Sequence, residues 1–254
     1  MALPGILECY QNPTYYFGGI ICSSGSGSPR TGSYAACADE KMKQVRQEEQ
    51  RQAAILGEYL FVTQFDFSSA SIQSSDNIKL VEELYQLLLQ IHPDVIYTHH
   101  PLDKHPTHRA VGHAVIEALR RLPAHQHPKR LLGGEVWRSL DWIIDKDKIA
   151  LDVSAHPELS DKLLTVFDSQ LSGGKRYDLA ALGRRYANAT FATPHLVDQA
   201  TQVLYAIDLM PLLKHPQLTL SEFALGFVES FRKEIEKEQS FFLYKQLFSG
   251  RQQS

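Results

Sequence analysis

Asp94-Val95-Ile96-Tyr97-Thr98 is a β-rich pentad, and the polar loop behind it, His99-His100-Pro101-Leu102-Asp103-Lys104-His105-Pro106-Thr107-His108, leads through Pro106 into a helix over Arg109 to Leu122. Val111, Val115 and Leu119 fall on one face of that helix. On the other side of the pentad, Leu80, Leu84, Leu87, Leu88 and Ile91 recur at helical spacing behind a candidate N-cap, Asp76. His92-Pro93 ends that helix. Further upstream, Tyr16 to Cys22 is an apolar run feeding a Ser/Gly loop, Asp39 to Leu56 is a strong helix mixture closed by Gly57, and Tyr59 to Phe65 is a second β segment. Strand and helix alternate. That order predicts an α/β fold, a Rossmann-like, mostly parallel sheet flanked by helices. Ligands of such sheets bind at the carboxyl ends of the strands. Two loops therefore become candidate site walls, residues 23–33 and residues 98–108.

Past Leu131 the pattern loosens. The sequence predicts a turn at Gly133-Gly134, a short strand near Ile149 to Val153, a helix from about Ser160 to Gln170, and a last helix near Ser221 to Lys237 running into a polar tail. No linker, repeat or low-complexity block interrupts the 254 residues, which predicts one domain over 1–254.

Lys plus Arg number 26 against 29 Asp plus Glu, a net charge of −3. A balance so even argues against nucleic acid or anionic lipid as the main partner. Three cysteines without a C-x-x-C spacing make neither a disulfide framework nor a zinc-thiolate site, and predict a reducing, cytoplasmic setting. No apolar run approaches the ~20 residues of a membrane span, and the first ten residues lack the order of a signal peptide. A monomer and a homo-oligomer both stay open.

The histidine loop has the shape of half a metal site. Pro106 suits the first position of a helix, which puts His105 at its cap and His108 in its first turn. Such an i, i+3 pair can aim both imidazoles into one cleft, one to bind metal and the other for proton transfer or oxyanion stabilisation. Asp103 is close enough in sequence to orient either ring. The scattered histidines, His125, His127, His156, His195 and His215, are expected to be solvated.

Several stretches in order complete the pattern: Arg46-x-x-Glu49-x-x-x-Ala53-Ala54-x-x-Gly57, Pro93 to His99, Asp103-x-His105-x-x-His108-Arg109, Asp168-Ser169-Gln170 and Gly173-Gly174-Lys175-Arg176-Tyr177-Asp178. Together they resemble the LmbE-like or PIG-L family of zinc-dependent N-acetylglucosaminyl deacetylases. The resemblance implies an LmbE-like fold, an N-acetylated sugar conjugate as small-molecule substrate, and zinc as the cofactor. It also implies His108 as a zinc ligand, and His105 as the catalytic histidine that steadies the oxyanion or protonates the departing amine. Arg46 is implied as a sugar contact. Asp103, Trp137 and Tyr177 are counted with it on the substrate side, although core packing explains a Trp about as often. Thr107 stands where many members carry Asp.

The family's defining His-Pro-Asp-Asp motif, which follows its first strand, is not in this sequence. His92-Pro93-Asp94 is a decoy, because it lies between a helix and the next strand rather than after one. Met1 to Leu7 looks like the helix that follows the motif, so a first strand and turn, about 15 to 25 residues, are expected ahead of it. A start codon placed too late and a true loss of the motif are the two explanations; a substitute carboxylate, Asp66 or Asp103, is a third. Without the motif the chain is expected to bind zinc poorly, to hydrolyse little, and to leave neighbouring strand edges unpaired. The alternative to an enzyme is a sugar-binding or scaffold relative that has lost the metal site.

Overall fold

The computed structural model describes residues 1–28, 30–74 and 77–249, the last nine as helical backbone. Among the described residues six strands are interspersed with helices: α1 (Leu3–Gln11), β1 (Gly18–Ser23), α2 (Asp39–Leu56), β2 (Phe61–Phe67), α3 (Ser69–Gln73), α4 (Ile78–Ile91), β3 (Val95–His99) and α5 (Pro106–Arg121). The chain continues with β4 (Arg130–Gly134), β5 (Ile149–Asp152), α6 (Pro157–Thr165), α7 (Asp168–Leu171), α8 (Tyr177–Thr190), β6 (Val203–Asp208), α9 (Pro211–Lys214) and α10 (Leu220–Ser249).

The α/β alternation is present, and its hydrogen bonding divides in two. β1 and β2 pair in parallel as one unit, while β3, β4, β6 and β5 form a four-stranded sheet in that order. β3 and β4 are parallel; β6 runs antiparallel to both β4 and β5. The sheet is therefore parallel where βα units build it, and antiparallel where β6 returns beside β4. β1 pairs only with β2, and β3 only with β4, among the described residues.

Helices cover both faces. Leu3, Ile6 and Leu7 of α1 bury with Ala53 of α2, Leu159 and Leu163 of α6, and Leu204 of β6. On the opposite face Leu80, Leu84 and Leu88 of α4 and Ile116 and Leu119 of α5 meet Leu131 of β4 and Ile207 of β6. Each fully buried side chain of this kind contributes about 1.5–3 kcal/mol. The i, i+4, i+8 leucines of α4 are the stripe anticipated from sequence. Its N-cap differs: Asp76 lies outside the described residues, and Asn77 takes the cap position with no side-chain bond. His92 closes the helix in the left-handed region at φ 43°, so the His-Pro-Asp tripeptide is a helix stop and strand start, as read.

Other differences are local. Gly133-Gly134 is no turn but the end of β4. A Cβ on Gly133 would lie 2.9 Å from the Cβ of His100, so the missing side chain lets the histidine loop close on the strand. The helix expected from Ser160 breaks into α6 and α7. The last helix runs on to Ser249 rather than yielding to a polar tail. His127 is half-buried, its Nε2 3.2 Å from the Leu122 carbonyl, not solvated.

One glycine fixes the site helix. A Cβ on Gly112 of α5 would sit 2.5 Å from the carbonyl oxygen of His99. Gly112→Ala is expected to push α5 off β3 and cost about 2 kcal/mol, since overpacking outweighs the roughly 1 kcal/mol gained in helix propensity. A urea midpoint at or above that of the parent protein would show that the helix yields freely.

Candidate metal and substrate site

β3 delivers His99 at its carboxyl end, and α5 begins seven residues later with His105 as N-cap and Pro106 in its first turn. The turn between them brings three imidazoles into a stack. His99 lies on His108 with ring centroids 3.9 Å apart and planes 12° from parallel. His105 lies against the same ring at 4.5 Å and 24°. Burial, reinforced by the neighbouring His108, lowers the pKa of both His99 and His105. Both outer rings are therefore held neutral at pH 7.

Asp103 ties the stack together from behind. It is 1% exposed. Its Oδ1 accepts the His105 backbone N–H at 2.9 Å, and its Oδ2 accepts the Trp137 N–H at 3.2 Å and lies 3.4 Å from His108 Nδ1. Burial would raise this carboxyl's pKa, but those hydrogen bonds outweigh it and hold it well below the usual range. Asp103, placed on the substrate side from sequence, thus sits beneath the histidines, with its oxygens committed to protein N–H groups.

One donor atom each from His99, Asp103 and His108 lies within 4.8 Å of the other two. Two imidazoles and a carboxylate suit a divalent ion such as zinc, and three protein ligands with an open position is the pattern of catalytic sites. His99 Nδ1 is buried with no hydrogen-bond partner, as a donor atom awaiting a ligand would be. The donor chemistry fits a metal. Because the His99 and His108 rings are nearly parallel, their lone pairs run side by side, and one ring must swing about its Cβ–Cγ bond for both to meet a single ion. Asp66 is not among these groups; it is exposed and paired with Lys43 at 2.6 Å.

Trp137, Tyr177 and Arg46, which the sequence places on the substrate side, stand in succession beside the stack. Trp137, 36% exposed, stands 5.7 Å from His105 and 6.1 Å from Tyr177. Trp142 instead packs edge-on against Phe231, on the core side. Arg46, on α2, is wedged between the Ser/Gly loop and the Phe167 ring at 5.7 Å. Gly25 makes room for it: φ there is +74°, and a Cβ would lie 2.9 Å from Arg46 Cγ. Arg46 Nη1 lies 3.5 Å from both Glu49 Oε2 and Ser169 Oγ. Glu49, in turn, accepts the Ser169 N–H at 2.6 Å and its hydroxyl at 2.7 Å. Burial lowers the Arg46 pKa, Glu49 opposes the shift, and the Arg46 charge acts on the Tyr177 phenol. Arg46, Tyr177, Trp137 and His105 therefore follow one another around the mouth.

His99 is the group the sequence reading left without a role. Its signal was available, as the last residue of a strand in a parallel βα unit. Thr107 is buried, its hydroxyl accepting from Gln73 at 2.8 Å, which ties α5 to α3.

A family model described as PIG-L, GlcNAc-PI de-N-acetylase, matches residues 1–119. Those residues carry a PIG-L family domain. No curated protein matches the chain. Among solved structures, N,N′-diacetylchitobiose deacetylase from Pyrococcus horikoshii superposes with a TM-score of 0.62 at 15% identity, over 84% of this chain and 79% of that one. The 4-carboxy-2-hydroxymuconate hydratase GalB of Pseudomonas putida KT2440 gives 0.61 at 15%, over 82% and 89%. The A40926 pseudoaglycone deacetylase gives 0.56 at 14%, over 82% and 90%. Identities this low show a shared fold, and a fold common to deacetylases and a hydratase leaves the reaction to be argued from the site. None of the described helices is long and apolar enough to cross a membrane.

Proposed function

We propose that the PIG-L domain and the cleft it builds belong to a zinc-dependent N-deacetylase that removes the acetyl group from an N-acetylated sugar conjugate in the cytoplasm. The observation that carries this is the convergence of His99, Asp103 and His108 at the carboxyl end of β3, directly behind a cleft bearing His105, Trp137, Tyr177 and Arg46. His99 and His108, with Asp103 behind them, would hold the ion. A divalent ion bound there supplies Lewis-acid polarisation of the amide carbonyl and a more acidic water.

The protein's own residues supply the rest. His105, neutral and half-buried beside the stack, is placed to accept the proton that the attacking water gives up at its free ring nitrogen and to return it to the nitrogen that leaves as an amine. Trp137 offers a flat apolar face to a sugar ring. Arg46, already stripped of much of its water, donates to sugar hydroxyls or to the acyl oxygen. Asp103 keeps the His108 ring turned toward the cleft.

One observation favours the second reading, a sugar-binding relative without catalysis. Asp103 is the only carboxylate in the donor group, and with its oxygens engaged it is poorly placed to take a proton from water. Release of primary amine from N-acetylglucosamine conjugates, measured with bound metal quantified and with and without chelator, separates the two. The enzyme reading expects amine release that tracks bound metal and stops in chelator, at a low rate because the His-Pro-Asp-Asp motif is not in this sequence. Sugar binding that survives chelation, with no amine formed, would defeat the enzyme reading.

A further inference from the structure

The loop that carries Trp137 is held by side chains rather than by its own backbone. β4 ends at Gly134, and among the described residues 136–139 make no backbone-to-backbone hydrogen bond. The Val136 carbonyl accepts from Arg184 Nη1 of α8, and Arg138 Nε donates to the Leu102 carbonyl at 2.6 Å. The Trp137 N–H donates to Asp103 Oδ2 at 3.2 Å. Three residues on, the Leu140 N–H donates to Glu135 Oε2 at 3.1 Å, which closes the loop on its own first residue.

Glu135 is 2% exposed and makes no ion pair among the described residues. A carboxylate so placed is costly unless hydrogen bonds compensate its burial. Its Oε1 accepts the Tyr205 N–H of β6 at 3.0 Å and the side-chain amide of Asn188 on α8. Donors therefore converge on both oxygens. A carboxylate offers an acceptor to each side, whereas glutamine would turn an NH2 group toward one of them. The Oε1 bonds anchor Glu135 to β6 and α8, and the Oε2 bond passes that anchorage to Leu140. Asp103, which also meets His108 and the His105 N–H, holds the middle of the same loop from the histidine side. Trp137 is thus strung between two buried carboxylates.

We propose that Glu135 is a positioning residue: through Leu140 it fixes the loop that stands the Trp137 ring 5.7 Å from His105 and keeps the Trp137 N–H on Asp103. That Trp137 faces a sugar rests on the deacetylase reading; that Glu135 holds Trp137 does not. In a Trp142→Phe background Trp137 is the one tryptophan left, and acrylamide quenching of its fluorescence, in chelator at pH 7.5, reads its exposure. Glu135→Gln is expected to keep the donors on Oε1 and release Leu140. Quenching should then rise about twofold, since Trp137 starts 36% exposed, while far-UV circular dichroism stays that of the parent. Asn188→Ala removes a donor from Oε1 alone, and is expected to lower stability without changing the quenching. N-acetylglucosamine binding, followed by calorimetry, should weaken severalfold in Glu135→Gln and hold in Asn188→Ala. Amide hydrogen exchange in the parent protein tests the same point without a substitution, and decides it if Glu135→Gln fails to fold. The Leu140 and Tyr205 N–H groups, both held by Glu135, should be protected to a similar degree although only Tyr205 lies in a strand. Unchanged quenching in folded Glu135→Gln, an equal rise in Asn188→Ala, or fast exchange at Leu140 beside a protected Tyr205 overturns the proposal. Quenching raised only in Glu135→Gln, with sugar affinity unchanged or no sugar bound at all, upholds Glu135 and overturns Trp137 as a sugar wall.

Discussion

Asp103→Ala is expected to destabilise the protein by about 4 kcal/mol and to lower its affinity for a divalent metal by about 10- to 100-fold. The first figure follows from what the carboxylate satisfies. The backbone N–H groups of His105 and Trp137 both donate to it in a buried setting, at 2.9 and 3.2 Å. Leaving each without an acceptor costs about 1–3 kcal/mol, at the upper end because the lost acceptor is charged. The second figure follows from the 3.4 Å contact with His108 Nδ1, which fixes the ring's tautomer and direction; loss of such a partner typically weakens a site by that factor. Asp103→Asn separates the two effects. Its amide keeps one oxygen for one N–H but presents an NH2 group where the other must be accepted, so roughly half of the stability should return while metal affinity stays low. His108→Ala removes the ring itself and should abolish binding at micromolar metal with a smaller loss of stability, because His108 is partly exposed. Urea unfolding and metal titration of the three variants check the scheme. A stability loss below about 1 kcal/mol for Asp103→Ala would mean that the loop finds other acceptors. Full metal occupancy in His108→Ala would remove that residue from the site.

The division of labour around Asp103 also marks what could and could not be read from the sequence. The β-rich pentad before His99, the helix begun by Pro106 and the leucine stripe of α4 are periodic or positional signals, and each survives because one residue dictates its own neighbourhood. Arg46 and Glu49 were marked only by a resemblance. Their spacing on α2 says that they are neighbours, but nothing local says that Ser169, 120 residues further on, will occupy both oxygens of Glu49. Gly133-Gly134 shows the same gap in reverse. Two adjacent glycines read as a turn when only local backbone preference is weighed, yet here they end a strand, with His100 too close to Gly133 for a side chain and Met1 packed tightly on Gly134. His99 is half legible: its place at the carboxyl end of a parallel strand is a local signal, and its stacking partner is not. Its value lies in the ring stacked on it from α5, a contact set by how β3 and α5 pack and by Gly112 between them.

That packing buries a second histidine whose cost should appear in acid. His100 has no exposed surface, and neither ring nitrogen has a hydrogen-bond partner. Burial, opposed in part by Asp103 and by the nearby Arg138 backbone, lowers its pKa from 6.5 to about 4. Between those values the unfolded chain binds a proton that the folded protein refuses. Stability therefore falls as pH drops through 6.5 toward 4, by about 3 kcal/mol for this residue once pH 4 is reached. His99 is shifted in the same direction and steepens the fall. Replacing His100 by leucine keeps most of the volume and deletes both unpaired nitrogens. His100→Leu is therefore expected to gain about 1 kcal/mol at pH 7.5, from the removal of an unsatisfied buried polar group. The gain should widen to about 3 kcal/mol at pH 5, where the protonation penalty disappears as well. Urea unfolding at the two pH values, in chelator so that metal release does not enter, measures both. A His100→Leu protein whose stability still falls as steeply as the parent's between pH 7.5 and 5 would place the acid sensitivity in His99 or elsewhere. A net loss at pH 7.5 would mean that the ring's contact with the Arg138 backbone is a working hydrogen bond.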